Sequence, residues 1–224
     1  MNRLLAILFC ILSLDAVAQN MLRLQRYTVD DGLSQSTVYS AFQDAYGFMW
    51  FATGDGLNKF DGKQFTVYKS AYTDTATNGL KDRNINSRIL EDRMGRLWFT
   101  SDAGLYYMDK RNSTFHLVID KFTTDCASII IDIDSSYVWV SVPRRGIFSV
   151  SVSNLRIAYY PFTDKLQASL DTIAIIRGGC GSRTGLYLTD RYGLLYFNKT
   201  THKDRRLIQA HDINSSLLCH NGNL

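Results

Sequence analysis

With 224 residues, 46% hydrophobic and 21% charged, the chain has the size of one large domain or two small ones and is excluded from the disordered class. Its formal charge of +4 is mild, and its basic residues are spread out. The densest clusters are Arg144-Arg145 and the short run at 203–206, which argues for a solvated surface and against a nucleic-acid-binding stripe. Only 2 prolines accompany 13 tyrosines, 12 phenylalanines and 15 glycines, a composition suited to many short strands joined by tight turns.

Residues 1–18 read as a signal peptide. Asn2-Arg3 gives a positive start, and residues 4–14 form an apolar run too short for the ~20 helical residues that span a bilayer. Ala16-Val17-Ala18 supplies the small-x-small pattern of a cleavage site. Cys10 lacks the small residues of a lipoprotein box before it, and no second apolar run of spanning length follows. The expected location is therefore extracytoplasmic, in the periplasm.

Internal repetition dominates the rest. Four segments superpose: GFMWFATGDGLNKFDG (47–62), GRLWFTSDAGLYYMDK (95–110), YVWVSVPRRGIFSVSV (137–152) and GLYLTDRYGLLYFNK (185–199). Their aromatic anchors Trp50, Trp98, Trp139 and Tyr187 lie 48, 41 and 48 residues apart, and Gly56, Gly104, Gly146 and Gly193 follow them at offsets of 6, 6, 7 and 6. Intervals of about 40 to 50 residues belong to propeller blades.

Within the first unit, strands are expected at 36–42, 48–53, 57–60 and 65–69, with turns at 44–47, 54–56 and 61–62. The second repeats them at 85–91, 97–100, 105–109 and 115–119. The third has lost one residue and the glycine from its first turn (134–137). The fourth has the glycine-rich stretch 178–185 there, and tyrosine in place of tryptophan.

The expected fold is all-β, an incomplete β-propeller of four-stranded antiparallel blades. The segments are a ring-closing strand at 21–30, blade 1 at 31–70, blade 2 at 71–120, blade 3 at 121–161, blade 4 at 162–209, and the start of a truncated fifth blade at 210–224. Ile213-Asn214-Ser215 echoes Ile85-Asn86-Ser87, and Asn221-Gly222 is a hairpin signal. A fragment of this kind leaves sheet faces uncovered and is expected to associate.

No sequence pattern for catalysis, metal or cofactor binding stands out. His116, His202, His211 and His220 are scattered and read as surface or loop histidines. Asp55, Asp61, Asp102 and Asp109 read as turn acids that bond local amides. Trp50, Trp98 and Trp139 sit within apolar strands, so inter-blade packing is expected over sugar stacking. Beyond the leader, Cys126, Cys180 and Cys219 are expected as small core residues; one disulfide and a free thiol is the other possibility.

Residues 31–69 (DGLSQSTVYSAFQDAYGFMWFATGDGLNKFDGKQFTVYK) closely resemble the two-component regulator propeller repeat: Gly-Leu-Ser, a short strand, Asp-x-x-Gly, apolar-Trp-apolar, Thr-x-x-Gly-Leu, then aromatic-Asp-Gly. The match is good at 78–119 and weaker, though in register, in the later units. The resemblance implies the periplasmic sensor of a Bacteroidetes-type hybrid two-component system. There, propellers precede an immunoglobulin-like domain, a membrane helix and a histidine kinase that signals by phosphorelay, often with receiver and DNA-binding domains. Many such sensors detect oligosaccharides. The implied partners are thus an oligosaccharide, the remaining blades, the downstream domains and a second full-length copy. The repeat residues are structural and assign no ligand contacts. The alternatives are a propeller enzyme of the streptogramin-lyase type, which needs histidines and acids converging at the central mouth, and a structural protein-binding propeller.

Overall fold

The computed structural model describes residues 24–70, 79–120, 129–142, 145–162, 178–190 and 193–209. The expected signal peptide and the expected fifth-blade start at 210–224 lie outside the described residues, as do Cys126, Cys219, His211 and His220.

Among the described residues, sixteen strands form four separate four-stranded sheets, each an antiparallel meander in chain order. Blade 1 holds β1 (Val38–Gln43), β2 (Met49–Thr53), β3 (Gly56–Phe60) and β4 (Phe65–Tyr68). Blade 2 holds β5 (Leu90–Glu91), β6 (Arg96–Ser101), β7 (Gly104–Asp109) and β8 (Thr114–Asp120). Blade 3 holds β9 (Ile129–Ile133), β10 (Tyr137–Val142), β11 (Gly146–Ser151) and β12 (Ile157–Pro161). Blade 4 holds β13 (Gly178–Gly181), β14 (Gly185–Asp190), β15 (Gly193–Asn198) and β16 (Asp204–Gln209).

The repeated glycine opens the third strand of each blade for a steric reason. At Gly104 the backbone has φ of +139°, and an added β-carbon would run into the Ile119 carbonyl of the neighbouring β8. Gly56 stands in the same place against Tyr68 O. The turn between the first two strands also repeats. Asp44 N bonds Phe48 O at 3.0 Å and Asp92 N bonds Arg96 O at 3.0 Å. Asp134 N reaches Tyr137 O at 3.0 Å in the turn expected to be one residue shorter, and Ser182 N reaches Gly185 O at 2.8 Å.

Packing lies between sheets. One buried cluster joins Trp50, Ala52 and Leu57 of blade 1 to Leu97, Phe99, Tyr106 and Met108 of blade 2. A second joins Trp98 and Leu105 to Val138, Val140 and Val150 of blade 3. A third joins Trp139 and Ile147 to Leu186, Leu188, Leu195 and Phe197 of blade 4. Trp50, Trp98 and Trp139 are 1%, 0% and 3% exposed, one per seam in equivalent positions. Each indole is therefore a packing residue, as its apolar flanks predict.

One expected strand is corrected in length. The first strand of blade 2 spans only Leu90–Glu91 instead of 85–91. Ile85 N donates to Thr53 O of blade 1 and Ile89 N to Ser40 Oγ. Ser87 Oγ accepts from Thr100 N at 2.7 Å, so these residues tie the seam together in place of a ladder. Their side chains remain buried, which produced the strand-like pattern.

Within the segment 21–30, residues 24–28 join no ladder. A 3₁₀ turn at Val29–Asp31 follows, closed by a reciprocal bond pair between Thr28 and Asp31. Tyr27 packs edge-on against Phe60 and Phe65, with centroids 4.8 and 5.7 Å away.

Candidate ligand-binding cleft at the first seam

Each tryptophan-bearing turn carries a carboxylate with two tasks. Asp44 Oδ1 accepts from Tyr46 N and Phe48 N at 3.0 Å each, closing the turn, while Oδ2 accepts from Trp50 Nε1 at 2.9 Å. Asp92 caps Met94 N and Arg96 N and accepts from Trp98 Nε1 at 2.7 Å. Asp134 caps Ser136 N and Tyr137 N and accepts from Trp139 Nε1 at 2.8 Å. In blade 4 both members change together: Ser182 replaces the acid and Tyr187 the indole, whose N–H no longer needs an acceptor.

A buried carboxylate also needs a cation. Lys110, at the end of β7, reaches back from blade 2 to Asp44 at 3.0 Å and to Glu91 at 2.6 Å. Lys199, at the end of β15, reaches back from blade 4 to Asp134 at 3.0 Å and Asp132 at 2.8 Å. The matching place in blade 3 is Val152. There Arg96 of blade 2 bonds its own Asp92 through Nε at 2.7 Å and sends Nη2 to Val152 O at 2.5 Å.

Burial works against the charged forms of Asp44 and Asp134. Bonds from the indole, the lysine and backbone amides nonetheless hold both carboxyls below their ordinary value. Burial likewise opposes the Lys110 ammonium, and its bonds to Glu91 and Asp44 hold its pKa above the usual lysine value.

Above the first seam the surface opens into two cavities that share Asp44. One, of about 680 Å³, lies between the first turns of blades 1 and 2, lined by Phe42, Tyr46, Glu91, Arg93 and Met94 among others. The other, of about 350 Å³, is lined by Tyr46, Phe48, Lys59, Tyr68, Lys110 and Arg111, with Ser113 at its edge. Lys59 Nζ lies 3.6 Å above the Phe48 ring, and Lys110 Nζ lies 4.8 Å from the Tyr46 ring. Tyr68 Oη and Ser113 Oγ are 3.5 Å apart. Arg111 binds Asp109 with both Nε and Nη2; its side chain is 85% exposed. That pairing lowers the Asp109 carboxyl to about 2. Aromatic faces, ammonium groups and hydroxyls around a concave floor suit recognition of a polar ring-shaped ligand.

The sequence-predicted residues divide. Asp61 caps Lys63 N and Gln64 N, and Asp109 caps Arg111 N, as turn acids should. Asp55 and Asp102 do otherwise. Their turns are capped by Thr53 Oγ1 and Ser101 Oγ, which frees the carboxylates to reach the chain entering blade 2. Asp55 pairs with Lys69 and Arg83, and Asp102 accepts from the Asn84 and Asn86 side-chain amides.

His116 stacks on Tyr107 and His202 on Tyr160, on blades 2 and 4, so the structure does not bring these two together. Cys180 is disulfide-bonded, which corrects its expected role as a plain core cysteine. Half-cystine pairing depends on spatial neighbours that spacing alone does not reveal. Lys110 and Lys199 went unremarked as residues of interest, although they close two of the superposed segments as the same last letter. Lys59 gave no signal beyond an ordinary strand charge.

Comparison with known proteins fits this architecture. The family described as two component regulator propeller matches residues 32–55. Histidine kinase P4 of Formosa agariphila is 43% identical over 72 residues, which cover 32% of this chain and 5% of that protein. Among solved structures, the extracellular domain assigned to a hybrid two component system of B. thetaiotaomicron aligns with a TM-score of 0.65 at 20% identity, over 82% of this chain and 26% of that one. The β-propeller domain of Myceliophteria thermophila Cps50 (Swd1) aligns with a TM-score of 0.58 at 13% identity, over 91% of this chain and 62% of that one. At such identities the structures establish the fold, a β-propeller. The repeat resemblance read from residues 31–69 is borne out, and the chain spans only a small part of the histidine kinase it resembles.

Proposed function

We propose that this chain is a ligand-sensing propeller segment of an extracytoplasmic two-component sensor, which detects an oligosaccharide and regulates a histidine kinase elsewhere in its parent protein. The observation that carries the proposal is the 43% identity with a histidine kinase over 72 residues, in a chain whose residues 32–55 match the regulator propeller repeat. The aromatic and polar cleft at the first seam gives this segment a surface for recognition. Periplasmic placement is supported by the leader pattern of residues 1–18 and by the disulfide at Cys180, a bond that persists in oxidising compartments. Blades 1 to 4 at 31–70, 71–120, 121–161 and 162–209, with a fifth beginning at 210–224, form the sensing ring together with further blades of the parent.

The test uses the intact parent protein in lipid vesicles. Autophosphorylation is followed while a panel of neutral and acidic oligosaccharides is titrated, and binding is read by calorimetry on the same samples. At least one oligosaccharide should bind and change the phosphorylation rate. Silence of both readouts across the panel defeats the sensing proposal, and chromatographic breakdown of a bound sugar would favour a propeller enzyme.

A further inference from the structure

The smaller cavity over the first seam holds a positive charge that the fold does not use. Lys110 is committed: its ammonium bonds Asp44 and Glu91 at 3.0 and 2.6 Å. Asp44 has no capacity to spare, since its two oxygens already accept from two backbone amides, an indole and Lys110. Glu91 turns its other oxygen away to Ala45 N, at 2.9 Å, on the side of the larger cavity. Lys59 has no such commitment. It makes no ion pair among the described residues, and its ammonium is held over the Phe48 ring at 3.6 Å. That ring contact gives it a fixed position without neutralising it.

The surroundings specify the rest of the ligand. Tyr68 Oη and Ser113 Oγ offer hydroxyls on one wall, and Arg111, paired with Asp109, borders the same cavity. Tyr46 and Phe48 supply apolar ring faces. A purely apolar ligand would strand the ammonium. A bare inorganic anion would leave the aromatic walls unused. We infer that this cavity binds an anionic saccharide unit, with Lys59 pairing the acidic group and the hydroxyls and aromatic faces holding the sugar ring. The inference rests on the sensing function proposed above and gives it a site and a ligand charge.

The experiment uses this chain at its full length with three probes: methyl β-D-glucuronide, glucose 6-sulfate and the neutral methyl β-D-glucoside. Affinities are read by NMR chemical-shift titration. At least one acidic probe should bind about tenfold more tightly than the glucoside, the ratio expected of one charge-assisted contact, with the two acidic probes separating carboxylate from sulfate recognition. Lys59→Gln should erase most of that preference, Lys59→Arg should retain part of it, and each should lower the thermal midpoint by no more than about 4 °C, the size of one lost ring contact. Added salt should weaken the acidic probe and leave the glucoside unchanged. Equal affinity for acidic and neutral probes, an unaltered preference in Lys59→Gln, or no binding of any probe overturns the inference. The sensing function falls only if the larger panel in the parent protein is silent as well, so the two failures are distinguishable.

Discussion

Replacing Asp92 by alanine strikes the second seam where its bonds are densest. The carboxylate is fully buried and accepts four: Met94 N at 2.8 Å, Arg96 N at 3.1 Å, Arg96 Nε at 2.7 Å and Trp98 Nε1 at 2.7 Å. The substitution leaves an almost buried guanidinium without its counterion and a fully buried indole N–H without an acceptor. Removing one partner of a buried ion pair costs about 3–5 kcal/mol, and the loss of the turn cap acts in the same direction. A change of that size is a large share of a domain's total stability. Urea unfolding followed by tryptophan fluorescence and by circular dichroism should show a lower midpoint. The two probes should also separate, because blades 1–2 and 3–4 would no longer unfold together. Trp98→Phe, which removes the N–H but keeps most of the packing, should cost less. If Asp92→Ala changes stability by no more than about 0.5 kcal/mol, as an ordinary surface substitution would, the carboxylate does not hold the seam.

Other perturbations probe the same framework. Asp44 and Asp134 have folded-state values below their ordinary 3.8, so their contribution is complete above that pH and is lost as pH falls through the depressed values; Asp134→Asn should flatten the acid limb of an unfolding-versus-pH curve. Lys110 is raised above its ordinary 10.5, so its contribution is complete below that pH and lost as pH climbs through the folded value; Lys110→Met should remove the alkaline loss in the same measurement. Gly104→Ala places a β-carbon on Ile119 O at a positive φ and should destabilise by about 1–3 kcal/mol in thermal unfolding, whereas Gly62→Ala has open space around it and should cost less. Ser182→Asp and Tyr187→Trp together should be more stable than the sum of the single changes by about 0.5–1.5 kcal/mol in a double-mutant cycle, because each supplies the other's missing hydrogen-bond partner.

The blade framework was legible because its two markers are fixed by local physics. Trp98 must fill a seam, and Gly104 must pass a neighbouring carbonyl, so both recur at set offsets in the chain. The first strand of blade 2 was misjudged in length. Ile85 and Ile89 alternate with polar residues as a strand would, yet their amides bond blade 1, and that choice depends on the distance between sheets. The cleft was less visible. Asp44 could be read as a turn residue, but its second bond reaches an indole six positions on, across a strand whose curvature no spacing reports. Lys59 lies over Phe48 because β2 and β3 pair Trp50 with Lys59, placing Phe48 on the diagonal. A register of that kind belongs to the folded sheet. The disulfide at Cys180 was hidden for the same reason.

The uneven source of positive charge at the seams means that the copies are not interchangeable parts. Blade 1 needs a follower that ends its third strand in lysine, whereas blade 2 carries its own arginine and accepts valine there. Were the segment 129–162 spliced in directly behind blade 1, Val152 would stand opposite Asp44, and Phe48 could not substitute for the guanidinium. A gene that gains, loses or shuffles such units must therefore keep donors and acceptors matched along the ring, which fixes an order of assembly through charge alone.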